Sequence, residues 1–241
     1  MSPVERNVHA FDQDVLCNQG YLYTTNSQLS SRLANKRLTD VSLALLDFSG
    51  LKVIDVGCGD GTYTIELWDL ARPRSVVGID PAPSAIEAAD ARKGDRPIVF
   101  QVGSAYHLDA ADDDFDVAVL RGVLHHLDYP GSAIREALRV ARRIVVVEPN
   151  GYNPVLKVIE RTMRYHIEHG EKSYAPRRLR RWVEQARGRI VRAKYAGLVP
   201  MFCPDWMARA LKRIEPVVED LPLVDALGCA VYIFAAARTY E

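Results

Sequence analysis

Two adjacent histidines, His125 and His126, follow the apolar run Phe115-Asp116-Val117-Ala118-Val119-Leu120. An imidazole titrates near neutral pH, so either side chain suits proton removal from an acceptor, a contribution of about 10²–10⁴-fold to a rate. Upstream, Asp55-Val56-Gly57-Cys58-Gly59-Asp60-Gly61 carries three glycines at alternate positions, a spacing that lets backbone approach a ligand without Cβ interference. Asp80 follows that loop by about 20 residues, where a carboxylate can accept from both hydroxyls of a ribose. The same carboxylate could instead cap the next helix.

The glycine spacing is shared by several nucleotide folds, and its neighbours discriminate among them. A dinucleotide fingerprint needs glycine at position 62, but the chain has Thr62 there and its third glycine at Gly61. No Gly-Lys-Ser/Thr follows, which excludes a P-loop. A nicotinamide-dependent oxidoreductase is thereby disfavoured, and no Tyr-x-x-x-Lys pair supports it.

Elements that alternate strand and helix must position these groups. Lys52–Val56, Val76–Asp80, Ile98–Val102, Asp116–Leu120 and Ile144–Glu148 read as strands buried on both faces of a parallel sheet. Between them, Ser84-Ala85-Ile86-Glu87 has capping-box spacing, and Ile134, Ala137, Leu138 and Ala141 fall on one helical stripe after Gly131. Leu29, Leu33, Leu38, Val41 and Leu45 predict one or two helices that could cap the site. After Glu148 the turn Pro149-Asn150-Gly151 opens an insertion, within which Leu179, Trp182, Val183 and Ala186 mark a helix. Ile190–Tyr195 and Ala230–Ala237 return to strand, flanking a helix capped by Asp205 with Met207, Ala210, Leu211 and Ile214 on one side. The expected organisation is one domain over 1–241: a cap at 1–48, a cofactor core at 49–149, an insertion or lid at 150–189, and terminal strands and helix at 190–241.

These motifs, taken in order, resemble those of class I S-adenosylmethionine (SAM)-dependent methyltransferases. Val53-Ile54-Asp55-Val56-Gly57-Cys58-Gly59-Asp60-Gly61-Thr62 is similar to their first motif, Val77-Gly78-Ile79-Asp80 to the second, Gln101-Val102-Gly103-Ser104-Ala105 to the adenine-contacting segment, and Phe115–Leu120 to the fourth-strand motif. Leu124-His125-His126-Leu127 resembles a run of the small-molecule branch called methyltransferase type 11. The resemblance covers roughly residues 50 to 150. It implies an α/β, Rossmann-like seven-stranded sheet whose last strand is antiparallel, with an N-terminal helical cap and an insertion after the fifth strand.

It also implies site roles. Asp55 and the backbone from Gly57 through Cys58 and Gly59 to Gly61 would hold the methionine part of SAM, Asp80 the ribose, and Pro81 the adenine face. Ser104, beside Ala105, stands where many relatives have an aspartate for the adenine amino group, so that contact is in question. His125 aligns with the base of related O-methyltransferases, His126 with a more regular position that can be structural. Arg121 is either an anchor for an acidic group or a surface arginine paired with Asp128 or a neighbour. Tyr21 and Tyr23 could close over the cofactor or simply pack.

Composition narrows the partners. The 31 basic and 31 acidic residues cancel, so no overall field draws polyanions, and a free small-molecule acceptor is expected rather than nucleic acid. The fourth strand leads into Leu120-Arg121-Gly122-Val123, not the Asn-Pro-Pro-Tyr type of motif that holds a flipped base. Arg177, Arg178, Arg180, Arg181, Arg187 and Arg189 read as a solvated face, or else as a phosphate or carboxylate contact. Cys17, Cys58, Cys203 and Cys229 lack paired or zinc-like spacing, His166 and His169 with Glu168 and Glu171 are too irregular for a metal site, and no metal is expected. The polar start of the chain and the absence of an apolar run of about 18 residues lead to the expectation of a cytoplasmic protein, monomeric or homodimeric, that does not enter a membrane.

Overall fold

The computed structural model describes residues 24, 26–162 and 172–239. In chain order the elements are α1 (Leu29–Leu45), β1 (Lys52–Val56), α2 (Thr62–Ala71), β2 (Ser75–Asp80), α3 (Pro83–Lys93), β3 (Ile98–Val102), β4 (Phe115–Arg121), a 3₁₀ turn (Leu124–His126), α4 (Pro130–Val140), β5 (Ala141–Pro149), α5 (Pro154–Thr162), α6 (Pro176–Gln185), β6 (Gly188–Ala196), α7 (Asp205–Asp220), α8 (Val224–Gly228) and β7 (Val231–Arg238). Among the described residues, seven strands form one sheet in the order β3-β2-β1-β4-β5-β7-β6. All neighbours are parallel except those of β7, which runs antiparallel to both β5 and β6. The strand order reverses between β1 and β4, and the carboxyl edge at such a reversal is where ligands bind in open parallel sheets.

The apolar runs of β1, β2, β4 and β5 form strands here because both faces are covered, whereas β3, expected to be buried on both faces, lies at the sheet edge with Val99, Gln101 and Val102 exposed. Leu120, Ile144 and Val146 face a layer with Ile134 and Leu138 of α4 and Leu179 of α6, while Val53, Val76 and Val117 face Phe48, Ile65 of α2 and Ile86 of α3. Each such side chain contributes about 1.5–3 kcal/mol on burial. The helix at Pro176–Gln185 therefore continues the strand-helix alternation by packing on α4 and β6, and α5 is the element of the 150–189 segment that lies outside it.

Several local expectations are corrected. Helix α3 begins at Pro83 with Ala82 at its cap, one position before the Ser84 box, because Pro83 has the backbone angle of a first helical turn and Asp80 Oδ1 already accepts from Ala82 N at 3.0 Å. Ala141, placed on the α4 stripe, is instead the first residue of β5. Asp205 lies inside the first turn of α7, with Pro204 at the cap position.

The larger correction concerns the face of α7. Met207, Ala210, Leu211 and Ile214 were expected to be buried together, yet Ala210 is exposed and Ile214 is 50% exposed, and the buried positions are Ala208, Glu215 and Glu219. Polar demand from the sheet edge decides this. Glu219 accepts from Gly197 N at 3.0 Å and pairs with Arg37 of α1, while Glu215 accepts from Leu198 N at 3.0 Å and pairs with Lys212. Backbone N–H groups just past β6 would otherwise be buried without acceptors.

Burial pushes Glu219 up, but the hydrogen bonds from Arg37 and Gly197 outweigh it and hold the carboxyl below its ordinary range. Such a lowered group stabilises the fold above the unfolded pKa, and that contribution is lost as pH falls through the folded one. Glu219→Ala is expected to destabilise the protein by about 2–4 kcal/mol at neutral pH, read from the urea midpoint. The gap between variant and parent should narrow only below the ordinary carboxylate range, as pH falls through the lowered pKa of Glu219. An unchanged midpoint at pH 7 would contradict this assignment.

Candidate active site

The loop after β1 is shaped by its glycines. Gly57, Gly59 and Gly61 all have positive φ (77°, 55° and 74°), and a Cβ on Gly57 would lie 2.2 Å from Val123 Cγ2 in the loop after β4. Gly57 N and Cys58 N both donate to Ile79 O, at 2.7 and 3.0 Å, which ties the loop to β2. Asp80 Oδ2 accepts from Gly59 N at 3.0 Å while Oδ1 accepts from Ala82 N at 3.0 Å in the turn before α3, so the carboxylate anchors the loop and that turn, and no side chain caps α3 itself. A carboxylate has about four acceptor positions, so these bonds leave capacity for hydroxyl donors.

Asp55, at the end of β1, is 5% exposed and accepts from Thr64 Oγ1 at 2.5 Å. Burial pushes its pKa up to about 6, against the opposing pull of Thr64 and Arg121. Arg121 does not turn outward to Asp128. From the last position of β4 it donates to Thr39 Oγ1 at 2.8 Å and Asn35 O at 3.2 Å, both in α1, and lies 3.6 Å over the Tyr63 ring. The surface alternative and its Asp128 partner are thus corrected: the position lies beside a buried acid and two helices that offer acceptors and a π face. This guanidinium ties α1 to β4 and to Tyr63 of α2, and Thr39 Oγ1 adds a second tie to α2 by donating to Glu66 Oε2 at 2.9 Å.

His125 and His126 form the 3₁₀ turn after β4, with ring centroids 3.9 Å apart. His125 Nδ1 lies 2.9 Å from Glu148 Oε2, and Glu148 Oε1 accepts from Val123 N at 3.0 Å and Leu124 N at 2.8 Å. Glu148 is 1% exposed and ends the run Val145-Val146-Val147 in β5. His125 Nδ1 thus lies within hydrogen-bond reach of a buried carboxylate that also gathers two backbone N–H groups of the same loop. Sequence reasoning read Glu148 only as the end of a strand. Its signal was an acid placed where a buried parallel strand reaches the ligand edge.

The remaining calls are placed as follows. Cys58 is buried behind the loop, and burial together with the Asp55 and Asp80 carboxylates drives its thiol well above the ordinary range, so it serves packing and not nucleophilic attack. Pro81 is exposed, Ala105 packs against the α4-side core, and Ser104 Oγ accepts from Tyr106 N at 3.2 Å. Tyr21 and Tyr23, and His166, Glu168, His169 and Glu171, lie outside the described residues. Among the described residues no group of three or more His, Cys, Asp or Glu side chains could hold a metal, and no helix is long and apolar enough to cross a membrane. Arg177, Arg178, Arg180 and Arg181 are exposed, and Arg178 also stacks on Tyr174 and Trp182.

A buried acid with a raised pKa binds its proton more readily folded than unfolded, so the fold loses stability as pH rises through about 6. Asp55→Asn keeps an acceptor for Thr64 and removes the buried charge. Thermal unfolding at pH 7 to 8 should show the variant more stable by roughly 1–3 kcal/mol, with the gap closing toward pH 4. A variant less stable than the parent at pH 7 would show that the pairing with Arg121 outweighs burial.

Comparison with known proteins meets this geometry from outside. Residues 54–146 match the family model described as a methyltransferase domain. The chain is 36% identical over 100 residues to the mitochondrial ubiquinone biosynthesis O-methyltransferase of Candida albicans, a match covering 39% of this chain and 30% of that protein. It is 33% identical over 114 residues to the 27-O-demethylrifamycin SV methyltransferase of Amycolatopsis mediterranei, covering 45% and 42%. The chain spans less than half the length of these relatives. Among solved structures, a SAM-dependent methyltransferase of Thermotoga maritima superposes with a TM-score of 0.69 at 15% identity, over 96% of this chain and 99% of that one. The [4+2]-cyclase SpnF gives 0.68 at 19% identity, over 99% and 94%. The family match over residues 54–146 places a methyltransferase domain in this chain, and the strand order is that of the fold it shares with the SAM-dependent methyltransferase of Thermotoga maritima.

Proposed function

We propose that the chain methylates a small-molecule acceptor, on oxygen, using SAM, with His125 as general base. The observation that carries this reading is the His125–Glu148 pair at the ends of β4 and β5, against the loop whose Val123 packs on Gly57. The residues present fit the cofactor: the glycine loop offers backbone where a Cβ would meet Val123, and two buried carboxylates stand near the carboxyl ends of β1 and β2. SAM when bound supplies a methyl group on a sulfonium, an activated electrophile with a good leaving group.

The chain's own part is alignment and proton transfer. Asp80 accepts from ribose hydroxyls on the positions left by Gly59 and Ala82. Backbone from Gly57 to Gly61, with Asp55, receives the methionine end, and Asp55 as an anion matches an ammonium group. Pro81, Ala105 and Ser104 flank the adenine, and Arg121 acts indirectly, by keeping Asp55 in a cationic field and α1 in place. His125 Nε2 takes the proton of an acceptor hydroxyl, and Glu148 fixes the tautomer and stabilises the imidazolium. Holding the acceptor oxygen in line is the rest of the catalysis.

O-methylation is supported by the names of the ubiquinone and rifamycin relatives. A second reading, a SAM-holding scaffold without methyl transfer, draws on the cyclase neighbour with the same fold. Calorimetric titration with SAM and S-adenosylhomocysteine, followed by mass spectrometry of an acceptor panel of phenols and alcohols, separates the two. Binding with a mass gain of one methyl supports transfer. Binding with no such gain for any acceptor favours the scaffold, and no binding at all contradicts both.

Given a working acceptor, His125→Ala should lower kcat by about 10²–10⁴-fold, and His126→Ala much less. Glu148→Gln should lower kcat and move the acid limb of the kcat/KM profile to lower pH, because the imidazolium loses its carboxylate. Asp80→Ala should weaken SAM binding by about tenfold or more in titration. A His125→Ala enzyme of parental rate would remove the base assignment.

A further inference from the structure

We propose that the outer face of α7 pairs with the same face of a second copy of this chain, so that the protein is a two-fold homodimer joined through α7. The reading is independent of the reaction proposed above. Helix α7 turns Ala208, Glu215 and Glu219 into the protein, with Met207, Leu211 and Val218 half-buried, and carries a further apolar stripe that faces out. Trp206, Ile214, Val217 and Leu221 are 72, 50, 61 and 47% exposed, with Ala210 exposed among them, and they recur at i, i+4, i+8, i+11 and i+15. Immediately beyond, Leu223 and Leu227 are 78 and 56% exposed, and Leu223 has a φ of +71°, unusual for a branched side chain. Together these side chains leave roughly 700 Å² open, above the about 300–600 Å² of the largest patch on a typical monomer and near the about 800 Å² that each partner brings to a standard interface.

The sequence of the stripe selects the occupant. Two antiparallel copies of α7 related by a dyad near Ile214 set Trp206 opposite Leu221, Ala210 opposite Val217, and Ile214 opposite itself, so apolar side chains meet apolar ones along the whole seam. The charges on the flank agree. Arg209 and Asp220, both well exposed and on the same side of the stripe, would face each other across the dyad twice. Arg213 would meet its own copy close to the axis, and its exposed head must turn out to water. A self-complementary pattern of this kind fits an isologous contact. An anionic lipid surface would be drawn to Arg209 and Arg213 but opposed by Asp205 and Asp220, which are 66 and 75% exposed.

Sedimentation velocity on the full chain over a micromolar concentration series tests the proposal, with circular dichroism confirming that each variant is folded. The parent chain should sediment as a dimer or as a concentration-dependent monomer-dimer mixture. Ile214→Glu, at the axis, should weaken association by about tenfold or more, and Arg213→Leu should strengthen it. Asp220→Arg should weaken association, and adding Arg209→Asp to that variant should restore it. A parent chain that stays monomeric throughout, or a dimer indifferent to Ile214→Glu, overturns the proposal. So does flotation of the parent with phosphatidylserine vesicles that Arg213→Leu weakens, a result that would assign the face to membrane instead.

Discussion

The structure depends most on the carboxylate of Glu148. It stands at the end of β5 and collects Val123 N, Leu124 N and His125 Nδ1, all from the loop that leaves β4. A buried charge of this kind costs several kcal/mol unless its acceptor positions are filled, and here the loop after β4 fills them. The consequence reaches the loop after β1, since the same loop places Val123 against Gly57 and thereby shapes the backbone offered to a cofactor. One carboxylate thus sets the orientation of the candidate base and the form of the neighbouring loop.

A second set of polar contacts carries order outward. Arg121, whose charge acts on Asp55, bonds α1 through Thr39 and Asn35, and α1 is in turn held to α7 by Arg37 with Glu219 and to the segment before α7 by Ser30 and Ser31 donating to Met201 O. At the other side of the loop, Thr24 donates to Asp60, whose carboxylate also pairs with Arg92. The cap thus combines these polar contacts with apolar packing of Leu38, Val41 and Leu45 on Val147, Ala196 and Ile233. The apolar stripe of α7 faces away from its own domain.

Much of this was legible before any coordinates. Lys52–Val56 and Ile98–Val102 are legible to the residue as short runs rich in β-branched side chains, although β3 lies at the sheet edge and exposes Val99 and Val102. The failures share a cause. The α7 face, the Arg121 contacts and the role of Glu148 are all settled by polar groups from distant segments, such as Gly197 N, Thr39 and Val123 N, which no local pattern reveals. A stripe of apolar residues states that a face will avoid water; it does not state which partner covers it. The acceptor stays unread for the same reason, since it depends on how the cap and the segment after β5 converge.

The central claim is that Glu148 makes His125 a base with its proton on Nδ1. Nitrogen-detected NMR of the ring nitrogens in uniformly ¹⁵N-labelled protein, with His125 assigned through His125→Gln, tests this most directly. The account predicts a neutral His125 with protonated Nδ1 and bare Nε2 above its pKa, and a downward shift of that pKa in Glu148→Gln. A neutral ring protonated at Nε2, or a titration indifferent to Glu148→Gln, would contradict it.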